Sequence, residues 1–112
     1  MKDGLTIDKY GDKRWYLHGK LHRVDGPAVE HASGTKLWYL NGKHHREDGP
    51  AIEYADGDKF WYLDGKLHRE DGPAIEYANG TKRWYLDDKL VDCQTQEQFL
   101  HMMSDPFTNS SK

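Results

Sequence analysis

The chain has 112 residues, a formal net charge of -3 and a single cysteine, so it holds one domain and no internal disulfide, and it lacks the positive field that drives phosphate binding. Leu, Ile, Val and Phe supply only 19 residues, a poverty that overlaps with disordered chains, but four Trp and seven Tyr restore large buried area per side chain. No stretch approaches the ~20 apolar residues that span a bilayer, and the first residues form no apolar signal run. The expectation is a soluble protein of the cytoplasm, with nucleic acid and membrane disfavoured as partners.

From residue 5 onward the chain is periodic. Trp-Tyr-Leu recurs at Trp15, Trp38, Trp61 and Trp84, 23 residues apart, and His-Arg-x-Asp-Gly-Pro-Ala recurs from His22, His45 and His68. Three units and an N-terminal half-unit therefore reach to about residue 90. Each unit alternates strand-like runs with turn signals, as in 51–55, Asp56-Gly57, 59–63 and Asp64-Gly65. Asp-Gly and Asn-Gly favour type I′ turns between antiparallel strands, and Ser33-Gly34, Asn79-Gly80, His18-Gly19 and Asn41-Gly42 fit the same plan. Asp87-Asp88 breaks it at the array's end. Strand alternation, counted straight through each unit, places Trp and the following Leu inward and the Tyr between them on the other face, because the position before Trp accepts Arg in two copies.

After residue 90 the pattern becomes helical, with Phe99, Met102 and Met103 at helix spacing, a Thr95/Gln98 capping signature and Pro106 as a stop. The spacing predicts a helix from about 96 to 103. The chain thus divides into a repeat array (1–91), a capping helix (92–105) and a flexible tail (106–112). The fold class is all-β, an antiparallel hairpin array in a twisted open sheet with a short C-terminal capping helix.

The run from Phe60 to His68, followed by 71–80, resembles a MORN-type repeat variant across most of residues 10–90. It departs from the common pattern in carrying His-Arg-x-Asp-Gly-Pro-Ala where Gly-x-Gly is usual, and it looks closer to divergent arrays of bacteria, bacteriophages and large viruses. The resemblance implies an elongated sheet used as a scaffold or recognition surface, with no catalytic residues. It also implies a specific version: a phage protein in the host cytoplasm that inhibits a host defence factor such as a CRISPR nuclease.

Candidate chemistry follows from the period. Two strands per unit place equivalent residues ~10 Å apart, too far for His22, His45 and His68 to share a metal whose ligands lie within about 4 Å of one another. A repeated set of groups along a line also differs from an active site, where several different groups converge once. No metal, cofactor or catalytic residue is therefore assigned. The partner-binding candidates are Tyr16, Tyr39, Tyr62 and Tyr85, a possible aromatic ladder, together with Glu53, Glu76, Arg46 and Arg69 of the charged rows. Glu30 with Glu53 and Glu76 can form an acidic stripe, and the Asp of each motif is expected to accept turn N–H groups while its Arg pairs with a neighbouring Glu. The expected function is noncatalytic binding of a protein. Carbohydrate or small-ligand binding on the Tyr ladder and a membrane-surface scaffold are the alternatives, and a homodimer is open because an open sheet leaves unpaired edges.

Overall fold

A computed structural model describes residues 3–104. The strands are β1 (Gly4–Ile7), β2 (Lys13–Leu17), β3 (Lys20–Leu21), β4 (Val29–Glu30), β5 (Lys36–Leu37), β6 (Tyr39–Leu40), β7 (Lys43–His44), β8 (Ile52–Glu53), β9 (Lys59–Phe60), β10 (Tyr62–Leu63), β11 (Lys66–Leu67), β12 (Ile75–Glu76), β13 (Lys82–Arg83), β14 (Tyr85–Leu86) and β15 (Lys89–Leu90). One helix, α1 (Gln96–Ser104), closes the described chain, which measures 53 × 30 × 18 Å. The antiparallel hairpin array and its C-terminal helix are thus present. The expected tail at 106–112 and the stop at Pro106 lie outside the described residues.

Each unit has two hairpins of different construction. The Leu17–Lys20 connection and its equivalents are two-residue type I′ turns, with both central residues at positive φ: 52° and 77° at His18-Gly19, and 53° and 84° at Asp64-Gly65. Asp87 and Asp88 keep the same turn at 49° and 69°, so the loss of the glycine at the array's end leaves the turn intact. Asp88 is held there because its N–H donates to the Leu67 carbonyl and its Oδ1 accepts from the Leu67 N–H. The other connections differ from the expected plan. Of Ser33-Gly34, Asp56-Gly57 and Asn79-Gly80 only the glycine has positive φ, and Gly57 N–H returns to Tyr54 C=O while Tyr54 N–H reaches Asp58 C=O. That pattern is a tight turn followed by a left-handed bulge residue, a three-residue hairpin.

The strands run in the order β1-β2-β4-β5-β8-β9-β12-β13, so successive hairpins pair in one sheet. Between β5 and β6, β9 and β10, and β13 and β14 the extended run is interrupted at the Trp, whose backbone leaves the ladder for other partners. Trp38 N–H donates to Ala51 C=O at 2.7 Å and Trp38 C=O accepts from His45 N–H at 3.0 Å. The chain bends there into a second row of hairpins. Arg23 N–H to Tyr39 C=O and Gly42 N–H to Leu21 C=O stitch one such hairpin to the next, and Arg46/Tyr62 with Gly65/His44 repeat the stitch.

Cross-strand register separates two faces of the main sheet. Val29, Leu37, Ile52, Phe60 and Ile75 face one another in one row, while Lys13, Glu30, Lys36, Glu53, Lys59, Glu76 and Lys82 form the row on the opposite face. Val29, Ile52 and Ile75 are buried, as are Ala28, Ala51, Ala74, Trp84 and Phe99. Tyr54 meets the Phe60 edge at 5.7 Å on the aliphatic face, and Tyr77 meets it at 6.0 Å. Trp15, Trp38 and Trp61, expected inward, are only half-buried and lie with the Glu row. Arg14 and Arg83, which made the position before Trp look wet, belong to the first and last units; inside the array that position is Leu37 or Phe60 and faces the aliphatic row.

Candidate recognition surface

The segment that follows each Trp-Tyr-Leu hairpin is built around one guanidinium. Arg46 lies over the Trp38 ring at 3.8 Å, its Nε donates to Asp48 at 3.1 Å, and its Nη1 donates to Pro50 C=O and to Glu53 at 3.1 and 3.0 Å. Arg23 repeats the set on Trp15 with Asp25, Pro27 and Glu30, and Arg69 on Trp61 with Asp71, Pro73 and Glu76. The glycine of the motif leaves room for it. A Cβ on Gly49 would stand 2.9 Å from the Arg46 Cζ, and one on Gly72 only 2.7 Å from that of Arg69. A planar cation is thereby held between an aromatic ring and a bare backbone, with its donors directed at fixed acceptors.

Arg46 and Arg69, candidates for a partner, therefore bond inward, and Glu53 and Glu76 are their partners. The motif Asp accepts from Arg Nε rather than from turn N–H groups, because the guanidinium fork reaches it first. The Glu row is not an acidic stripe: its cross-strand neighbours are Lys13, Lys36, Lys59 and Lys82, and charge alternates along it.

The motif histidines act between units. His22, His45 and His68 each accept at Nδ1 the N–H of the next unit's turn, from Asn41, Asp64 and Asp87 at 2.9, 2.8 and 3.0 Å. An accepting Nδ1 places the proton on Nε2, which in His45 and His68 donates to Glu47 and Glu70. A matching link joins the bulged turns, where Asp12, Thr35 and Asp58 side chains accept from Ala32, Ala55 and Ala78 N–H. The Ala32 N–H and the His31 ring beside it hold the Asp12 carboxyl below the usual carboxylate range. Among the described residues no three His, Cys, Asp or Glu side chains converge as a metal requires.

The Tyr row is half-buried throughout. Tyr16, Tyr39, Tyr62 and Tyr85 pair across their hairpins with Leu21, His44, Leu67 and Leu90, so each Tyr has a leucine or an imidazole as its cross-strand neighbour. His44 replaces the leucine of the other units and lies between Tyr39 and Tyr62, ring centroids 4.3 and 5.1 Å away. Burial pushes the His44 imidazole down, raises the Tyr39 and Tyr62 hydroxyls, and leaves His44 Nδ1 buried without a hydrogen-bond partner.

What the motif leaves to solvent is its third position, the outer side of the Asp that follows it, and a groove. Val24 is 84% exposed, and the Glu47 and Glu70 side chains project at the same place, each against a histidine Nε2. Between the loop at 46–50 and the loop at 68–71 lies a groove of about 640 Å³, floored by Trp61 and Leu63 and rimmed by Glu47, Asp48, Glu70 and Asp71. Residue-by-residue reading of the sequence missed this surface. The signal for it was in the repeat: Trp, Arg, Gly and Glu recur together in each full unit, and where Trp84 recurs last, Asp92 and Thr95 stand in place of the Arg and Gly.

That last Trp is covered differently. Phe99 of α1, fully buried, packs on Trp84 at 6.3 Å, and Gln96 accepts from the Trp84 indole N–H while donating to Asp71 C=O. Thr95 Oγ1 accepts from Gln98 N–H, the cap expected at this helix start, while Gln98 Oε1 accepts from Gln94 N–H, one residue before the Thr95 N–H that a capping box would engage. α1 is too short to cross a membrane, and no helix among the described residues is long and apolar enough to do so.

Comparisons with protein-family models, with curated proteins and with solved structures gave no match.

Proposed function

We propose that the chain is a noncatalytic protein–protein interaction module whose recognition surface is the row of His-Arg-x-Asp-Gly-Pro loops. One observation carries the reading. Within each loop the Arg, Asp, Gly and Pro are engaged in a single repeated network, while the third position projects outward and changes character from Val24 to Glu47 and Glu70. Side chains presented on a pre-ordered backbone lose little entropy on binding, which is how a rigid scaffold gains affinity. The adjoining groove supplies an apolar floor inside a charged rim, the composition of a protein interface. The net charge of -3 opposes a nucleic-acid ligand, and the half-buried Tyr rings offer a sugar little free ring face. Resemblance to phage-borne arrays of MORN type makes a host defence protein, a CRISPR nuclease included, the first partner to test.

The test is site-specific photocrosslinking in the source cytoplasm, with the reactive residue placed at 24, 47 or 70 and, as control, at Tyr54 on the opposite face. A single adduct of defined mass from 47 and 70 but not from 54 is the expected result. Equal labelling from both faces, or none from the loops, removes the reading.

A further inference from the structure

Exposed aliphatic side chains collect at the two ends of the array. Leu5 and Ile7 of β1 are 48% and 59% exposed and Leu90 of β15 is 61% exposed, whereas the inner counterparts of Leu90, Leu21 and Leu67, are half-buried. The backbone shows the same incompleteness. The N–H groups of Trp15, Trp38 and Trp61 donate to Ala28, Ala51 and Ala74 at 2.8, 2.7 and 2.7 Å. The residue in register for Trp84 is Glu97, which belongs to α1, and among the described residues no acceptor meets the Trp84 N–H. Likewise Leu21 and Leu67 C=O accept from Gly42 and Asp88, and among the described residues no such donor reaches Leu90 C=O. A cleft of about 410 Å³ runs along this edge between residues 82–84 and 90–94. By register it is the space that Arg and the Gly-Pro-Ala strand fill in the inner units.

The opposite end has the matching shape. Trp15 directs its N–H to Ala28 and its C=O to His22, both away from β1, so Leu5, opposite it, belongs to a non-hydrogen-bonded pair. The Leu5 N–H and C=O then point outward from the sheet. Leu5 stands 23 residues before Ala28, which makes it the first-unit equivalent of the alanines that accept the Trp N–H.

We propose that a second copy of this chain docks head to tail, its β1 adding to β13 as an antiparallel strand. The second copy's Leu5 C=O takes the Trp84 N–H, its Gly19 N–H takes Leu90 C=O, and Leu5 and Leu90 are covered at the seam. α1 stands where an inner unit has its crossing loop, and β1 brings no such loop, so the two ends do not compete for that space. The contact joins two different surfaces, and repeated without closure it builds an open-ended array rather than a closed dimer.

Sedimentation equilibrium on the full chain tests this. The expected result is a mass that grows with concentration in steps of 13.1 kDa. Leu5→Lys and Leu90→Lys each block one end, so each variant alone stays monomeric and their equimolar mixture stops at a dimer. Hydrogen exchange at the Trp84 amide of the unmodified chain, which slows as the assembly forms, reads the same contact without any substitution. A chain that remains monomeric to about 1 mM, the weak limit of specific association, overturns the proposal. So does a dimer abolished by Leu5→Lys and untouched by Leu90→Lys, which would mean that β1 pairs with another β1.

Discussion

Gly49→Ala probes the Arg–Trp stack directly, since the added methyl falls 2.9 Å from Arg46 Cζ and 3.1 Å from its Nε. Gly49 is not among the residues at positive φ, so its backbone accepts alanine and the damage comes from moving the guanidinium. The displaced cation leaves the Trp38 face, a contact of about 0.5–1 kcal/mol at a partly exposed site. It also loses the Pro50 carbonyl, about 0.5–1.5 kcal/mol. The ion pairs to Asp48 and Glu53 add only about 0.2–1 kcal/mol each, because the Asp48 side chain is 89% exposed and solvent screens the pair. Against these losses alanine stabilises by about 0.4–1 kcal/mol through a less flexible unfolded chain. The net expectation is a destabilisation of about 1–3 kcal/mol, read by urea unfolding followed through Trp fluorescence. The decisive arm is the same substitution in an Arg46→Met background. Without a guanidinium to displace, Gly49→Ala should become neutral or stabilising. An unchanged penalty there would show that the glycine serves the backbone and that the stack is incidental.

Two further outcomes follow from the geometry. His44 occupies a leucine position with its pKa lowered by burial, so the folded state disfavours its protonation: its contribution to stability is full above the ordinary value of 6.5 and is lost as pH falls below it. His44→Leu should therefore raise the melting temperature and flatten its fall between about pH 7.5 and 5.5, and an unchanged slope would remove His44 as the cause. Phe99→Ala should cost about 3–5 kcal/mol as a truncation of a fully buried aromatic, with loss of helical circular dichroism and a red shift from Trp84. Retention of α1 in that variant would contradict its role as the cover of the last unit.

Much of the fold was legible because it depends on local chemistry. The 23-residue period, the two-residue turns with both residues left-handed, and α1 to within a residue of its C-terminal end all follow from spacing and from residues that tolerate particular φ values. The N-terminal half-unit was less legible: β1 has four residues where the equivalent strands β4 and β8 have two, yet Leu5, Thr6 and Ile7 share little with Ala51, Ile52 and Glu53. The surface was harder still. Alternation counted through Trp assumes a straight strand, and the strand bends at that residue because its N–H and C=O bond to Ala and His of the following segment.

The sequence by itself determined the repeat, the hairpins and the helix, since each rests on interactions among residues close along the chain. The pairing of the motif Arg with a neighbouring Glu was expected and is present, Arg46 with Glu53 and Arg69 with Glu76; tertiary structure decided which face the Trp and Tyr rows occupy and laid each guanidinium over a Trp ring. The physical reason is the path of the chain in space. Trp38 meets Arg46 and His45 meets the turn at Asp64 only after the strand has bent and the next unit has stacked on it, and no periodicity encodes that path.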